Sequence, residues 1–201
     1  MNRIYIDTCT PAFLLAVSNG KETQVKKERG KKKAAEVLFP YLKDLLDNLN
    51  LTLSEIDEIY VTCGPGSYTG VRISLTFAKV MKVINEKIKV YTIPSLTALL
   101  SGAKEKSISL IDARNSAFFA LTFDGTNYSE FQRMELSSVK EYINQGYKPV
   151  IYEDDEESLN KLSGYDVIKV DVLKAMLSAN NYNEVKDYND IKPIYLKGEG
   201  R

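Results

Sequence analysis

The sequence predicts an α/β protein of two lobes, each built in the order βββαβαβα. Three observations carry this reading. Period-2 and helical apolar patterns alternate along the chain after three short strands, and that order in residues 1–102 is repeated in 103–201. The pair Ile6-Asp7 followed by Ala12-Phe13 returns as Ile111-Asp112 followed by Ala117-Phe118, each opening its half. The lobe boundary falls near Gly102.

Residues 2–7, 13–18 and 22–27 read as three strands, with Thr10-Pro11 and Asn19-Gly20 as turn signals. In residues 33–49, Leu38, Tyr41, Leu42, Leu45, Leu46 and Leu49 fall on helical spacing, and Pro40 is expected to kink that helix near its start. Thr52-Leu53-Ser54-Glu55 reads as a capping box before a short turn, and 58–63 as a fourth strand. A glycine-rich turn leads into a helix over 70–85, a strand over 89–93 and a helix capped by Ser95 and running to 101.

The second half gives strands at 107–112, 118–123 and 128–133, with Asp124-Gly125 turning the second hairpin. Helices at 139–145, 156–162 and 172–180 then alternate with strands at 149–152 and 166–170.

Composition removes whole classes of chemistry. With no histidine in the chain, a Ser-His-Asp or Cys-His triad and a His-containing zinc site are excluded. Cys9 and Cys63 lie far apart with no CxxC spacing, which predicts buried free thiols. Lys plus Arg equals Asp plus Glu at 27 each, so any RNA contact has to come from a local patch and not from overall charge. No apolar run approaches the roughly 18 residues of a membrane span, so the expectation is a cytoplasmic protein without membrane contact.

Two motifs carry the functional reading. The first is Gly64-Pro65-Gly66-Ser67-Tyr68-Thr69-Gly70-Val71-Arg72-Ile73, between a strand and a helix. Its exposed amides, with the Ser67 and Thr69 hydroxyls and Arg72, could hold an anion; equally, Gly64, Gly66 and Gly70 could serve a tight turn with Thr69 as helix cap. It is no P-loop, because Val71-Arg72 stands where Lys-Ser/Thr is required. The second is the pair of hairpin turns at Asp7 and Asp112. Both keep an aspartate and neither has a glycine, so the backbone cannot approach a phosphate closely there. Asp7 and Asp112 then either mark a vestigial nucleotide cleft or merely cap their turns.

The duplicated order resembles the actin, Hsp70 and sugar-kinase superfamily, an RNase H-like fold that binds nucleotide between its halves. The string GPGSYTGVRI resembles the signature of the TsaB (YeaZ) family, and Ile6-Asp7-Thr8, Pro94-Ser95-Leu96-Thr97-Ala98-Leu99, Asp112-Ala113-Arg114 and Pro193-Ile194-Tyr195-Leu196 resemble its other conserved segments. The resemblance implies a noncatalytic subunit in tRNA threonylcarbamoyladenosine synthesis. Such a subunit binds and activates the transferase TsaD together with TsaE, and reaches tRNA through the complex. No cofactor is expected on this chain alone, ATP or ADP and metal being expected on the partner subunits. The chain departs from the family before the first helix, where Lys26-Lys27-Glu28-Arg29-Gly30-Lys31-Lys32-Lys33 replaces an Arg-His-Ser-like stretch. That basic run is either a solvated loop or a tRNA-facing patch.

Both helices of the first half carry more apolar residues than one sheet-facing stripe needs. On the second, Ile73, Phe77, Val80, Met81 and Ile84 form one stripe and Val71, Leu75, Ala78 and the stem of Lys82 another; the first adds Val37 and Phe39 to its core stripe. The surplus either packs one helix on the other or meets another protein; the family resemblance implies partner binding through these helices, at Leu38, Leu42, Leu45, Val71, Leu75, Ala78 and Lys82, with self-association into a homodimer through the same surface when TsaD is absent. A free-standing ATP-dependent kinase is the alternative from the fold, and a peptidase is disfavoured by the absent histidine.

Overall fold

Strong apolar alternation in the opening hairpins and two amphipathic helices build the first lobe, seen in a computed structural model that describes residues 1–29 and 34–196. Its elements are β1 (Arg3–Asp7), β2 (Ala12–Ser18), β3 (Thr23–Arg29), α1 (Ala34–Asn48), β4 (Glu58–Thr62), α2 (Tyr68–Ile84), β5 (Lys89–Ile93) and α3 (Ser95–Leu99). The second lobe follows as β6 (Ser107–Asp112), β7 (Ala117–Phe123), β8 (Gln132–Glu135), α4 (Leu136–Asn144), β9 (Lys148–Tyr152), α5 (Glu156–Lys161), β10 (Ile168–Val170) and α6 (Val172–Ser178). A last short strand, β11 (Asn183–Val185), ends the set.

The duplication holds strand for strand. One sheet runs β5-β4-β1-β2-β3 and the other β10-β9-β6-β7-β8. In each, the central strand pairs antiparallel with its hairpin partner and parallel with the strand after the first helix. The two aspartates take equivalent places, Asp7 opposite Leu14 and Asp112 opposite Phe118.

One topological feature was absent from the sequence reading. β11 leaves the second lobe and pairs antiparallel with β5, adding a sixth strand to the first sheet. Residues 1–102 therefore do not build the first lobe alone. Between the lobes, α3 and α6 pack in a shared core with Tyr5 and Leu14 of the first sheet and Leu121 and Tyr152 of the second.

Several boundaries moved for local reasons. The strand expected at 128–133 begins only at Gln132, with Tyr128 held by an isolated bridge to Phe123. Asp124 accepts the Thr126 and Asn127 amides at 2.8 and 2.7 Å, and Ser129 Oγ accepts the Thr122 amide, so the loop is closed by side chains before pairing resumes. The helix expected at 139 starts at Leu136, whose amide bonds Ser116 O. Ser95 does not cap α3; Pro94 takes the cap position and the Ser95 hydroxyl turns to Cys9 Sγ. The capping box at Thr52 formed, with the Thr52 amide on Glu55 Oε2 at 2.8 Å.

The two helices of the first lobe also present faces other than those expected. Leu38, Leu42 and Leu45 of α1, and Val71, Leu75 and Ala78 of α2, are all buried in the core of the chain itself. Gly70, Ser74 and Ala78 are small, which lets α2 lie close to the sheet on that side. Two apolar stripes of similar strength left the choice open to periodicity, and the small residues decided it. Lys82 donates to the carbonyls of Glu86 and Ile88, both at 2.7 Å, and so closes the C-terminal end of α2. The outward apolar residues include Ile84 at 73% exposure, Phe39 at 62%, Val83 at 58% and Val80 at 47%.

Leu45 is 1% exposed, so Leu45→Ala is expected to cost about 2 to 5 kcal/mol in urea unfolding and Leu45→Asp to prevent folding. A folded, unperturbed Leu45→Asp chain by circular dichroism would contradict this packing.

Candidate functional site

Segments far apart in sequence meet at the ends of β1, β4 and β5. The Cys63 amide donates to Ile93 O, the Ser95 amide to Gly64 O at 2.9 Å, and the Ile194 amide to Cys63 O at 2.8 Å. Ile194 also packs on the first-lobe core. Gly64 has φ +89°, and a Cβ there would lie 2.8 Å from Ile194 O, so glycine is required on both counts.

The turn after β4 presses on the β1–β2 hairpin. The Ser67 amide donates to Cys9 O at 2.8 Å, and Thr8 Oγ1 donates to Gly70 O at 2.6 Å. A Cβ on Gly70 would stand 2.8 Å from the Thr8 carbonyl carbon and nearer still to its oxygen; one on Gly66 would stand 3.0 Å from the Cys9 carbonyl carbon. All three glycines of the motif therefore admit a neighbouring backbone, Gly64 that of Ile194, Gly66 that of Cys9 and Gly70 that of Thr8.

That contact and the helix cap engage the amide and hydroxyl of Ser67. Ser67, not Thr69, caps α2, its hydroxyl accepting the Gly70 amide at 3.1 Å. Arg72 stacks its guanidinium 4.0 Å above the Tyr68 ring and donates to Tyr195 Oη at 3.0 Å. Tyr68 and Tyr195 are themselves in ring contact at 5.1 Å. The first motif and the Pro193–Leu196 segment thus form one surface, with Tyr68 and Tyr195 as members that sequence spacing alone could not join.

A cleft of about 840 Å³ lies between the lobes, with Cys9, Thr10 and Ser67 on one wall and Asp112, Arg114 and Asp155 on the other. Asp7 is fully buried behind the first wall and acts as a turn cap. It accepts the Cys9 amide at 3.0 Å and the Thr62 hydroxyl at 2.5 Å, together with the Thr10 hydroxyl. Asp112 has a different fate: it pairs with Lys161 of α5, while its own amide donates to Asp155 Oδ2. Asp155 caps α5 by accepting the Ser158 amide and hydroxyl at 3.0 and 2.7 Å. Arg114, Asn115 and Ser116 all take positive φ, a path that glycine follows freely, asparagine tolerates and Arg114 and Ser116 adopt only at a cost. Asp7 and Asp112 are therefore both engaged by intramolecular partners. Among the described residues, no three Cys, Asp or Glu side chains stand together as a metal ion requires.

Both thiols are free and buried. Burial pushes the Cys63 thiol up to about 12. Burial, then the charge of Asp7, raises Cys9 well above the ordinary thiol range, while hydroxyls of Ser95 and Thr62 lie 3.1 Å from its sulfur.

The described part of the basic run is engaged. Lys26 lies 3.6 Å from Asp44, and Lys27 and Arg29 pair with acids of the second lobe. Residues 30–33 of that run lie outside the described residues.

These features define a two-lobed, actin-like protein whose central cleft has its aspartates internally committed. The comparisons are narrower. A family model described as TsaD, tRNA N6-adenosine threonylcarbamoyltransferase, matches residues 18–187. The uncharacterized protein MG208 of Mycoplasma genitalium is 26% identical over 98% of this chain and 89% of its own length. The tRNA threonylcarbamoyladenosine biosynthesis protein TsaB of Haemophilus influenzae is 30% identical over 57% of this chain, which spans about half, 51%, of that relative. The solved structure of YeaZ from Pseudomonas aeruginosa superposes with a TM-score of 0.69 at 18% identity, covering 97% of this chain and 99% of the other. The chain belongs to the TsaB (YeaZ) family, within the wider group that the TsaD model describes. Among the described residues no helix is long and apolar enough to cross a membrane.

Gly70→Ala is expected to lower stability by about 1 to 3 kcal/mol or more, since the neighbour it would strike is backbone; an unchanged urea midpoint would contradict the close approach. In the native protein at pH 8, both thiols are expected to react with a thiol-specific disulfide reagent far more slowly than in 6 M guanidinium.

Proposed function

We propose that the chain is a noncatalytic subunit of the tRNA threonylcarbamoyladenosine synthesis machinery, which binds and activates TsaD together with TsaE. The single observation that carries this is the outward apolar face of α1 and α2 in a chain whose cleft aspartates are already satisfied. Phe39, Val80, Val83 and Ile84 are exposed there, and the Phe39 ring meets Phe77 edge-on at 6.3 Å. Large apolar side chains that remain in water on neighbouring helices favour burial against a partner, at about 1.5 to 3 kcal/mol for each one fully buried.

Relatives named for tRNA threonylcarbamoyladenosine biosynthesis support the pathway. TsaD is the favoured occupant of the helical face, with ATP or ADP and metal held by the partner subunits. The same face would pair two copies of this chain in the absence of TsaD. The residues that make the contact are the outward ones, in place of the buried Leu38, Leu42, Leu45, Val71, Leu75 and Ala78.

The kinase alternative requires the cleft to bind ATP and magnesium. Asp112 tied to Lys161, and hairpin turns without glycine, argue against it. Calorimetry of the isolated chain with ATP and magnesium separates the two readings, tight binding favouring the kinase.

Val80→Asp and Ile84→Asp are expected to fold normally and to lose co-purification with TsaD by at least about tenfold. Retention of TsaD at parental levels by both variants would overturn the helical docking face.

A further inference from the structure

The two lobes are joined at the rim of the cleft by charges that the proposed function does not use. Lys27 lies on β3, the edge strand of the first sheet. Its ammonium reaches Glu153 at 2.6 Å and Asp154 at 2.7 Å, both just beyond β9 of the second sheet, and Asp171 at 2.7 Å, the cap of α6. The ammonium donates hydrogen bonds to Glu153 and Asp171 and meets Asp154 as an ion pair. Arg29, two residues along on the same strand, pairs with the other oxygen of Asp154.

Burial makes this cluster more than a surface ion pair. The Asp154 side chain is 3% exposed, and a carboxylate so placed is tolerated only when it is paired. Arg29 and Asp154 both line the cleft. Widening the cleft on this side therefore means withdrawing both cations from a buried acid. Asp171 responds to the same cluster. Its burial alone would raise its pKa, but the hydrogen bonds from Lys27 and from the Lys174 amide outweigh that and hold it below the usual carboxylate range.

We propose that Lys27, backed by Arg29, is the bolt of an ionic clasp between the lobes, closing the cleft on Glu153, Asp154 and Asp171 and setting how far it opens. The shared core of α3 and α6 then serves as the hinge and the clasp as the latch at its rim. A latch made of charges, all partly exposed except Asp154, weakens as ionic strength rises. The clasp belongs to the isolated chain and does not depend on any partner.

The test is a distance measurement between nitroxide labels on Asn48→Cys in α1 and Lys140→Cys in α4, both exposed, by pulsed electron resonance. The buried Cys9 and Cys63 leave the introduced thiols as the reactive ones. The parent is expected to give one narrow distance population. Lys27→Met is expected to add a second population, raising the open-to-closed ratio by about tenfold once partial exposure of the lysine is allowed for. Asp171→Asn keeps a side-chain oxygen for the α6 cap and removes only the charge, so it should shift the distribution the same way, and 1 M salt should do so in the parent. Lys43→Met, which removes an exposed pair within α1, should change nothing. If Lys27→Met fails to fold by circular dichroism, Asp171→Asn decides. Distributions identical to the parent in the folded variants and in high salt would overturn the clasp.

Discussion

The rest of the structure depends on one close approach, the backbone of Thr8 and Cys9 lying against Gly66 and Gly70. It sets the depth at which α2 meets the sheet and fixes the Asp7 turn against the helix start. The hydroxyls of Thr8 and Ser67 then find backbone partners within this contact. It also explains why a glycine-rich turn at the head of a helix need not be a phosphate site. The amide of Ser67, which a phosphate would seek, already has a carbonyl of the same chain.

The same economy runs through the cleft. Asp7 is buried among hydroxyls and amides, Asp112 is neutralised by Lys161, and Arg72 is stacked and hydrogen-bonded by two tyrosines. A charged group already satisfied in the folded chain must surrender that partner before it can serve a substrate. Meanwhile the helices of the first lobe leave Phe39, Val80, Val83 and Ile84 in water. Large apolar side chains left in water on one face are what the proposed subunit role draws on.

Much of this was legible in residues. The repeated Ile-Asp and Ala-Phe pairs announced two equivalent hairpins, and both sheets have the same strand order. The buried cysteines followed from their isolation. The faces of α1 and α2 were misread because both stripes are apolar, and the small residues Ser74 and Ala78 that seat α2 do not register in a count of hydrophobic positions. β11 was missed because three residues, Asn183 to Val185, carry no period of their own and are held by the edge of β5. Lys26, Lys27 and Arg29 looked like a free basic run because Lys27 and Arg29 find their acids on the second lobe, more than a hundred residues away, and Lys26 finds Asp44 across a strand–helix contact.

The measurement that bears most directly on the central claim is reconstitution of threonylcarbamoyl transfer to tRNA from purified components. With TsaD and TsaE present, transfer is expected only when this chain is added, and the chain alone should give none. Transfer at the full rate without it, or turnover of substrate by the chain in isolation, would contradict the account.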